Sequence, residues 1–283
     1  MTFKSIEVTP LTGALGAQIS GIDLAQPQSN QTWNEVHQAW LDYLMIYFRD
    51  QDITPRQQVE LAHRFGKPAI YAFIKGLPDQ PEVTEIVKSE HDNKNFGGRW
   101  HTDTTYKEKP DKGTLLYALE VPETGGDTLF SNMYLAYDAL SEGMKSMLDG
   151  LIAVNNSDKS YPNGRASQLK KFHGMGDNYK DESKALEAEH PVVRTHPETG
   201  RKALYVNASH TLRFKDMTVE ESKPLIDYLS THAVRPEFSC RLHWYPGTLA
   251  VWDNRCTQHL AVNDYAGKRR RMHRVTIEGE AVI

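Results

Sequence analysis

Among the twelve histidines of the chain, His101 stands out by its company. The stretch GGRWHTDTTY sets His101 and Asp103 two residues apart among β-branched neighbours. On an extended chain such positions project to one side, so an imidazole and a carboxylate can converge on one ion. Alone the pair says little, because H-x-D arises by chance in many proteins. A second group lies in WDNRCTQHLAVNDYAGKRRRMHR at 252–274, with His259 behind a predicted strand and Arg270 and Arg274 further on. In a final strand, alternation puts Arg270, Met272 and Arg274 on one face and Arg271, His273 and Val275 on the other. Two guanidinium groups facing inward are costly unless each meets an anion; otherwise GKRRRMHR is a solvated basic turn. His101, Asp103 and His259 on a β framework would leave metal positions open. That suits Fe(II) and O2 chemistry and does not suit a structural zinc closed by four protein ligands.

The rest of the chain must supply that framework. Its 33 basic and 37 acidic residues leave a formal charge of −4, and the pI near 6.3 argues against nucleic-acid binding through bulk charge. No apolar run approaches the roughly 20 residues of a membrane span, so a soluble protein without a membrane partner is expected. MTFKSIEVTP lacks the apolar core of a secretory signal, and Cys240 and Cys256 are too few for a disulfide framework, which points to the cytoplasm. No repeat or long linker divides the chain, and 1–283 reads as one domain.

Four helices are expected. They lie at 32–45 with Thr32 as cap, at 54–66 with Thr54 as cap and Pro55 first, at 133–151 broken near Gly143, and at 218–233 with Thr218 and Glu221 as a capping box. Short β-branched and aromatic runs fall at 45–50, 114–120, 127–132, 191–196, 203–207, 238–244, 248–254 and 272–279. The concentration of strands in the second half, with helices before and between them, predicts an α+β double-sheet barrel with helical buttresses. The polar segment 155–190 reads as a long loop or lid, and 68–99 as a second cover.

Together these motifs resemble the taurine dioxygenase (TauD/TfdA) family of Fe(II)- and 2-oxoglutarate-dependent dioxygenases. The resemblance runs from PLTGALGAQISGIDL at 10–24 through VPETGGDTLF at 121–130 and HPVVRTHPETGRKALYVN at 190–207 to WDNRCTQH and the arginine turn. It implies a double-stranded β-helix (jelly-roll, cupin-like) barrel with flanking helices. His101, Asp103 and His259 would bind Fe(II), and Arg270 with Thr128 would hold the far carboxylate of 2-oxoglutarate. O2 would be consumed, 2-oxoglutarate would become succinate and CO2, and the substrate would be hydroxylated. Asp103 speaks against the related halogenases, which carry a small residue there. The resemblance also makes a homodimer or homotetramer the expected assembly.

Arg274 matches the arginine that binds the substrate's anionic head in taurine enzymes. Other parts of that pattern are missing. Taurine enzymes carry a His and a Tyr where this chain has Tyr71 and Ile74, and an Asn where Gly97 stands. Tyr161 and His210 occupy positions that hold aromatic rings. The segment KPLIDYLSTHAVRPEFSCRLHW and the YAGK turn look more like the aryloxyalkanoate-cleaving branch. The expected substrate is therefore a small or medium organic anion, with Tyr71, Phe73, Ile74, Tyr106 and Tyr161 as a partly aromatic wall. A sulfonate or sulfate ester is the alternative within the family. Outside it stand a zinc hydrolase or isomerase on the same three ligands and a non-catalytic sensor of 2-oxoglutarate.

Overall fold

β-Branched and aromatic runs pair into sheets in the computed structural model, which describes residues 3–161, 164–180 and 184–282. The largest sheet runs, in order, β1 (Glu7–Pro10), β2 (Ala17–Ser20), β3 (Met45–Phe48), β14 (Leu249–Asp253), β6 (Gly113–Glu120), β16 (Arg270–Ile277) and β4 (Pro68–Ala69). β5 (Thr84–Lys88) also pairs with β16. A three-stranded sheet has the order β13 (Ser239–Leu242), β7 (Thr128–Asn132) and β15 (Thr257–Ala261). β12 (Thr211–Phe214), β8 (Ile152–Asn156) and β9 (Glu187–Pro191) form another, while β10 (Val193–Thr195) pairs with β11 (Lys202–Leu204).

The central strands are buried on both faces, and the period of two sorts their side chains. Leu116, Ala250, Trp252 and Met272 point into one apolar cluster, where they meet Phe130, Cys240 and Leu242 of the β13–β7–β15 sheet. The Phe130 and Trp252 rings touch edge-on, 5.4 Å between centroids. Leu115, Tyr117, Val251, Val275 and Ile277 point the other way, onto Val36, Ala39 and Trp40 of α1 (Asn30–Tyr43). The expected α+β arrangement of two facing sheets with helical buttresses is present. It is not a closed barrel: among the described residues no strand pairing joins the large sheet to its three-stranded partner.

Helix ends follow the capping chemistry, with two shifts. α2 (Pro55–Ala62) starts at Thr54 with a capping box to Gln57, and α6 (Val219–His232) starts at Thr218 with the expected box to Glu221. α1 starts earlier than expected: Ser29, not Thr32, is its cap and accepts from the Thr32 amide. The 133–151 helix breaks ahead of Gly143, because Ser141 caps α4 (Glu142–Leu148) after α3 (Met133–Asp138) has ended. The segment 155–190 is not simply loop: it holds the end of β8, α5 (Gly164–Leu169) and the start of β9, while its positions 162–163 and 181–183 lie outside the described residues. Among the described residues no helix is long and apolar enough to cross a membrane.

Candidate metal centre and substrate cavity

His101 and His259 are locked side by side by backbone. The His101 amide donates to the His259 carbonyl at 3.0 Å and the His259 amide returns to His101 at 2.8 Å, a lone antiparallel bridge that splices the HTD stretch onto β15. Their rings lie 4.1 Å apart. His101 Nδ1 lies 2.7 Å from the Arg99 carbonyl. A carbonyl only accepts, so that nitrogen carries the proton and Nε2 is left with its lone pair. The chain does not stay extended through Asp103, as the spacing suggested. It turns there, with buried Thr104 at φ 54°, a backbone conformation that a β-branched residue rarely adopts. The turn brings Asp103 Oδ1 to 3.6 Å from His101 Nε2.

One donor atom from each of His101, Asp103 and His259 lies within 4.8 Å of the other two. Asp103 Oδ2 accepts from Thr114 Oγ1 at 2.8 Å, Thr114 accepts from Asn254, and Asn254 accepts from Trp252 Nε1. One carboxylate oxygen is thus tied back by a buried chain, leaving the other turned to the histidines. Burial pushes the Asp103 carboxyl up, but His259, Arg274 and His101 more than offset this and hold it well below the usual carboxylate range. Burial lowers His259 to about 3, with His101 adding to the effect. A carboxylate beside a neutral imidazole is the protonation state that metal binding requires.

A second group, His196, Asp253 and Cys256, also lies close together. It is closed by its own ion pair: Arg255 spans both Asp253 oxygens at 2.9 and 2.7 Å, and His196 takes Oδ2 at 3.0 Å.

On β16, Arg270, Met272 and Arg274 are buried on the inner side, whereas Arg271 and His273 meet Glu85 of β5. Arg270 stacks on Trp244 at 5.6 Å, and its Nε and Nη2 have no partner. Thr128 is buried beside the same tryptophan, accepting from Trp244 Nε1 at 2.9 Å, so its own proton remains to be donated. Arg274 lies over the Tyr71 ring at 4.3 Å, its Nη1 is 3.9 Å from Asp103 Oδ1, and its Nη2 is unpartnered. The orphaned nitrogens of two buried guanidinium groups fit anionic ligands, and the donor set of His101, Asp103 and His259 fits a divalent ion.

A cavity of about 470 Å³ opens over the centre. Tyr71, His101, Asp103, Tyr106, Tyr161, His210 and Arg274 line it. Phe73 and Ile74 do not. Both are 1% exposed and packed in the core, where Phe73 buttresses Tyr71 and Tyr106 edge-on and Ile74 bridges to Tyr179. Phe73 lies two residues from the lining Tyr71, but the chain there is irregular and a period of two does not carry it to the same face. Arg270 lines a separate small recess with Lys88 and Tyr265. His210 stands edge-on to Tyr106 at 5.0 Å, and burial pushes its imidazole well below its ordinary value. Gly97 presses on His101, where an added Cβ would meet Cε1 at 3.3 Å.

Several wall residues carried no signal in the sequence. Arg165 and Phe172 come from the polar 155–190 segment, and Phe96 and Arg99 from the other expected cover. Their charge or ring alone does not separate them from solvated surface. The turn before Thr128 is built on the TGG at 124–126. Gly125 and Gly126 take φ of 83° and 73°, and the Gly126 amide donates to Asp264 Oδ1 at 2.7 Å.

Residues 7–276 match the family model described as "Taurine catabolism dioxygenase TauD, TfdA family". A protein of Acinetobacter baylyi named alkylsulfatase is 33% identical, over 98% of this chain and 86% of that one. The (S)-phenoxypropionate/alpha-ketoglutarate-dioxygenase of Sphingobium herbicidovorans is 32% identical, over 98% and 96%. A crystal structure of a putative alpha-ketoglutarate-dependent taurine dioxygenase from Burkholderia xenovorans superposes with a TM-score of 0.83 at 33% identity, covering 99% of this chain and 94% of that one. With a family model spanning nearly the whole chain and relatives matched almost end to end, the chain belongs to the TauD/TfdA family of dioxygenases.

Proposed function

We propose that this chain, as one catalytic unit, hydroxylates a small or medium organic anion, with His101, Asp103 and His259 holding Fe(II), Arg270 and Thr128 holding the far carboxylate of 2-oxoglutarate, and Arg274 holding the substrate's acidic head. Family membership makes it a 2-oxoglutarate-dependent non-haem iron dioxygenase. The observation that carries the assignment of roles is the pair of buried arginines on one face of β16, each with unpartnered nitrogens, beside an open three-donor centre. When bound, iron, 2-oxoglutarate and O2 supply the oxidation, giving succinate, CO2 and a hydroxylated substrate. The protein's part is placement. His101 presents Nε2 because Arg99 holds the opposite nitrogen, and Asp103 presents one oxygen because Thr114 holds the other. Arg274, stacked on Tyr71, fixes the acidic head, while Tyr106, Tyr161 and Phe172 line the way in and exclude water.

An aryloxyalkanoate is the favoured substrate, supported by the aromatic lining and by the phenoxypropionate enzyme among the relatives. A sulfate ester is the second reading, supported by the relative named alkylsulfatase. Anaerobic addition of Fe(II) and 2-oxoglutarate should raise the weak visible charge-transfer band of their chelate. Admission of O2 with aryloxyalkanoates, sulfonates and sulfate esters should then yield succinate in step with one class. Folded, metal-loaded protein without a band, or turnover that ignores 2-oxoglutarate, would overturn this reading and favour a zinc hydrolase.

A further inference from the structure

We propose that Arg165 is a positioning residue for the substrate's acidic head: through Tyr71 it turns a phenol donor toward the anchor Arg274, and so tunes the cavity for an anion that carries no amino group. The inference rests on the organic-anion reading above. Arg165 lies on α5, is 3% exposed and lines the same cavity as Tyr71, Tyr106 and Arg274. Among the described residues no ion pair holds it, and Asp158 acts only from further off. Its Nε and Nη2 donate to the Ser157 carbonyl at 3.2 and 2.9 Å, and its Nη1 donates to Tyr71 Oη at 3.3 Å. Its guanidinium lies over Phe73, Tyr161 and Tyr106 at 4.6, 4.7 and 5.1 Å. Hydrogen bonds and ring contacts offset part of the cost of a buried charge without an acid partner. Such a charge on a cavity wall still leaves a positive field that an anion would relieve.

The chemistry of guanidinium gives this contact a direction. Arginine has donors only, so Tyr71 Oη accepts from Arg165 and its own proton must point elsewhere, to Tyr106 or to a ligand oxygen. The face of the same Tyr71 ring carries Arg274, whose Nη2 is unpartnered. With its proton given to a ligand oxygen, the Tyr71 phenol would act with the Arg274 guanidinium on the same ring, a pair that suits the oxygens of a carboxylate or sulfate. Lys94 and Arg99 add two further cations to the lining, and Asp103 is its one acid among the described residues. An ammonium group would meet repulsion there. The substrate class is an aryl or alkyl anion, and zwitterionic aminosulfonates are excluded.

The test is calorimetric titration of the anaerobic Fe(II)–2-oxoglutarate protein with 2-phenoxypropionate, hexyl sulfate and taurine. At least one of the first two should bind, with taurine about tenfold weaker or more. Arg165→Met should weaken the bound anion about tenfold, and Tyr71→Phe, which keeps the ring under Arg274, by a similar factor. The double variant should bind no more weakly than Arg165→Met alone, because that substitution already removes the oriented donor together with the charge. A general loss of packing would not produce that non-additivity. Arg165→Lys should fall between wild type and Arg165→Met. Wild-type affinity in Arg165→Met, multiplying effects in the double variant, or preference for taurine would each overturn the inference. If Arg165→Met fails to fold, wild-type affinity in both Arg165→Lys and Tyr71→Phe overturns it, and weakening in both supports it. Failure of the unsubstituted protein to bind any of the three overturns the organic-anion reading itself, a result distinct from anion binding that ignores Arg165.

Discussion

Asp103 reaches the centre through a backbone turn and stays correctly oriented through a neighbour. Its tie to Thr114 sets which oxygen faces the histidines, so Thr114→Val should weaken metal affinity about 10–100-fold while leaving the fold intact. Titration with Fe(II) or Mn(II) measures this, and unchanged affinity would show that the carboxylate orients itself. Arg274 provides the second residue-scale prediction. Arg274→Ala should raise the KM of the anionic substrate about 10–100-fold, the loss of a charge-assisted hydrogen bond, and an unchanged KM and kcat would remove it as anchor. At this scale the residue types were informative where chemistry restricts them. H-x-D, a distal histidine and paired arginines have few common uses together. Arg165 was illegible because a lone arginine in a polar segment is ordinarily solvated, and only its packing against Tyr71 and Phe73 separates it from such surface.

At the scale of elements, local rules worked where the interaction is local. The cap at Thr54 and the capping box at Thr218 depend on residues three apart and formed as read, and the structure adds Gln57 to make a second box at Thr54. The cap of α1 moved to Ser29 because the sequence offers two hydroxyls three residues apart and both can serve, Ser29 accepting the amide of Thr32. The turn before β7 combines local and distant causes. Gly125 has φ 83°, and an added Cβ would lie 2.7 Å from Asp264 Oδ1. Gly125→Ala should therefore cost about 1–3 kcal/mol of stability and, by displacing Thr128, raise the KM for 2-oxoglutarate. A variant that melts lower but keeps its 2-oxoglutarate KM would show that the turn does not position Thr128.

Across the whole molecule, the WDNRC stretch does structural work next to the centre. Arg255 is buried against Asp253 and reaches Glu198, which in turn meets His37 of α1. This network ties the β14–β15 corner to the helical layer. Asp253→Ala would leave Arg255 without its main counter-charge and should cost about 3–5 kcal/mol, seen as a large fall in Tm. Burial pushes the Asp253 carboxyl up, but Arg255 and His196 outweigh it and leave it below its ordinary value. A carboxyl lowered in the folded state stabilises above its unfolded pKa of about 3.9 and loses that stabilisation progressively as pH falls from there toward the lower folded value. Wild-type stability should thus decline below about pH 4 more steeply than that of the alanine variant. Parallel declines would place the acid sensitivity elsewhere.

By itself the sequence determined the available donor groups and the class of fold. The donor types of His101, Asp103 and His259, the face shared by Arg270 and Arg274, and the capped helices among short strands all follow from residue identity and from periods of two or 3.6. Only the tertiary structure decided which rings form the wall, that the two sheets face each other without closing, and that Asp103 arrives by a turn. Those outcomes depend on side chains far apart in the sequence, such as Tyr71 with Arg165 and His101 with His259, meeting in a space whose shape no local pattern encodes.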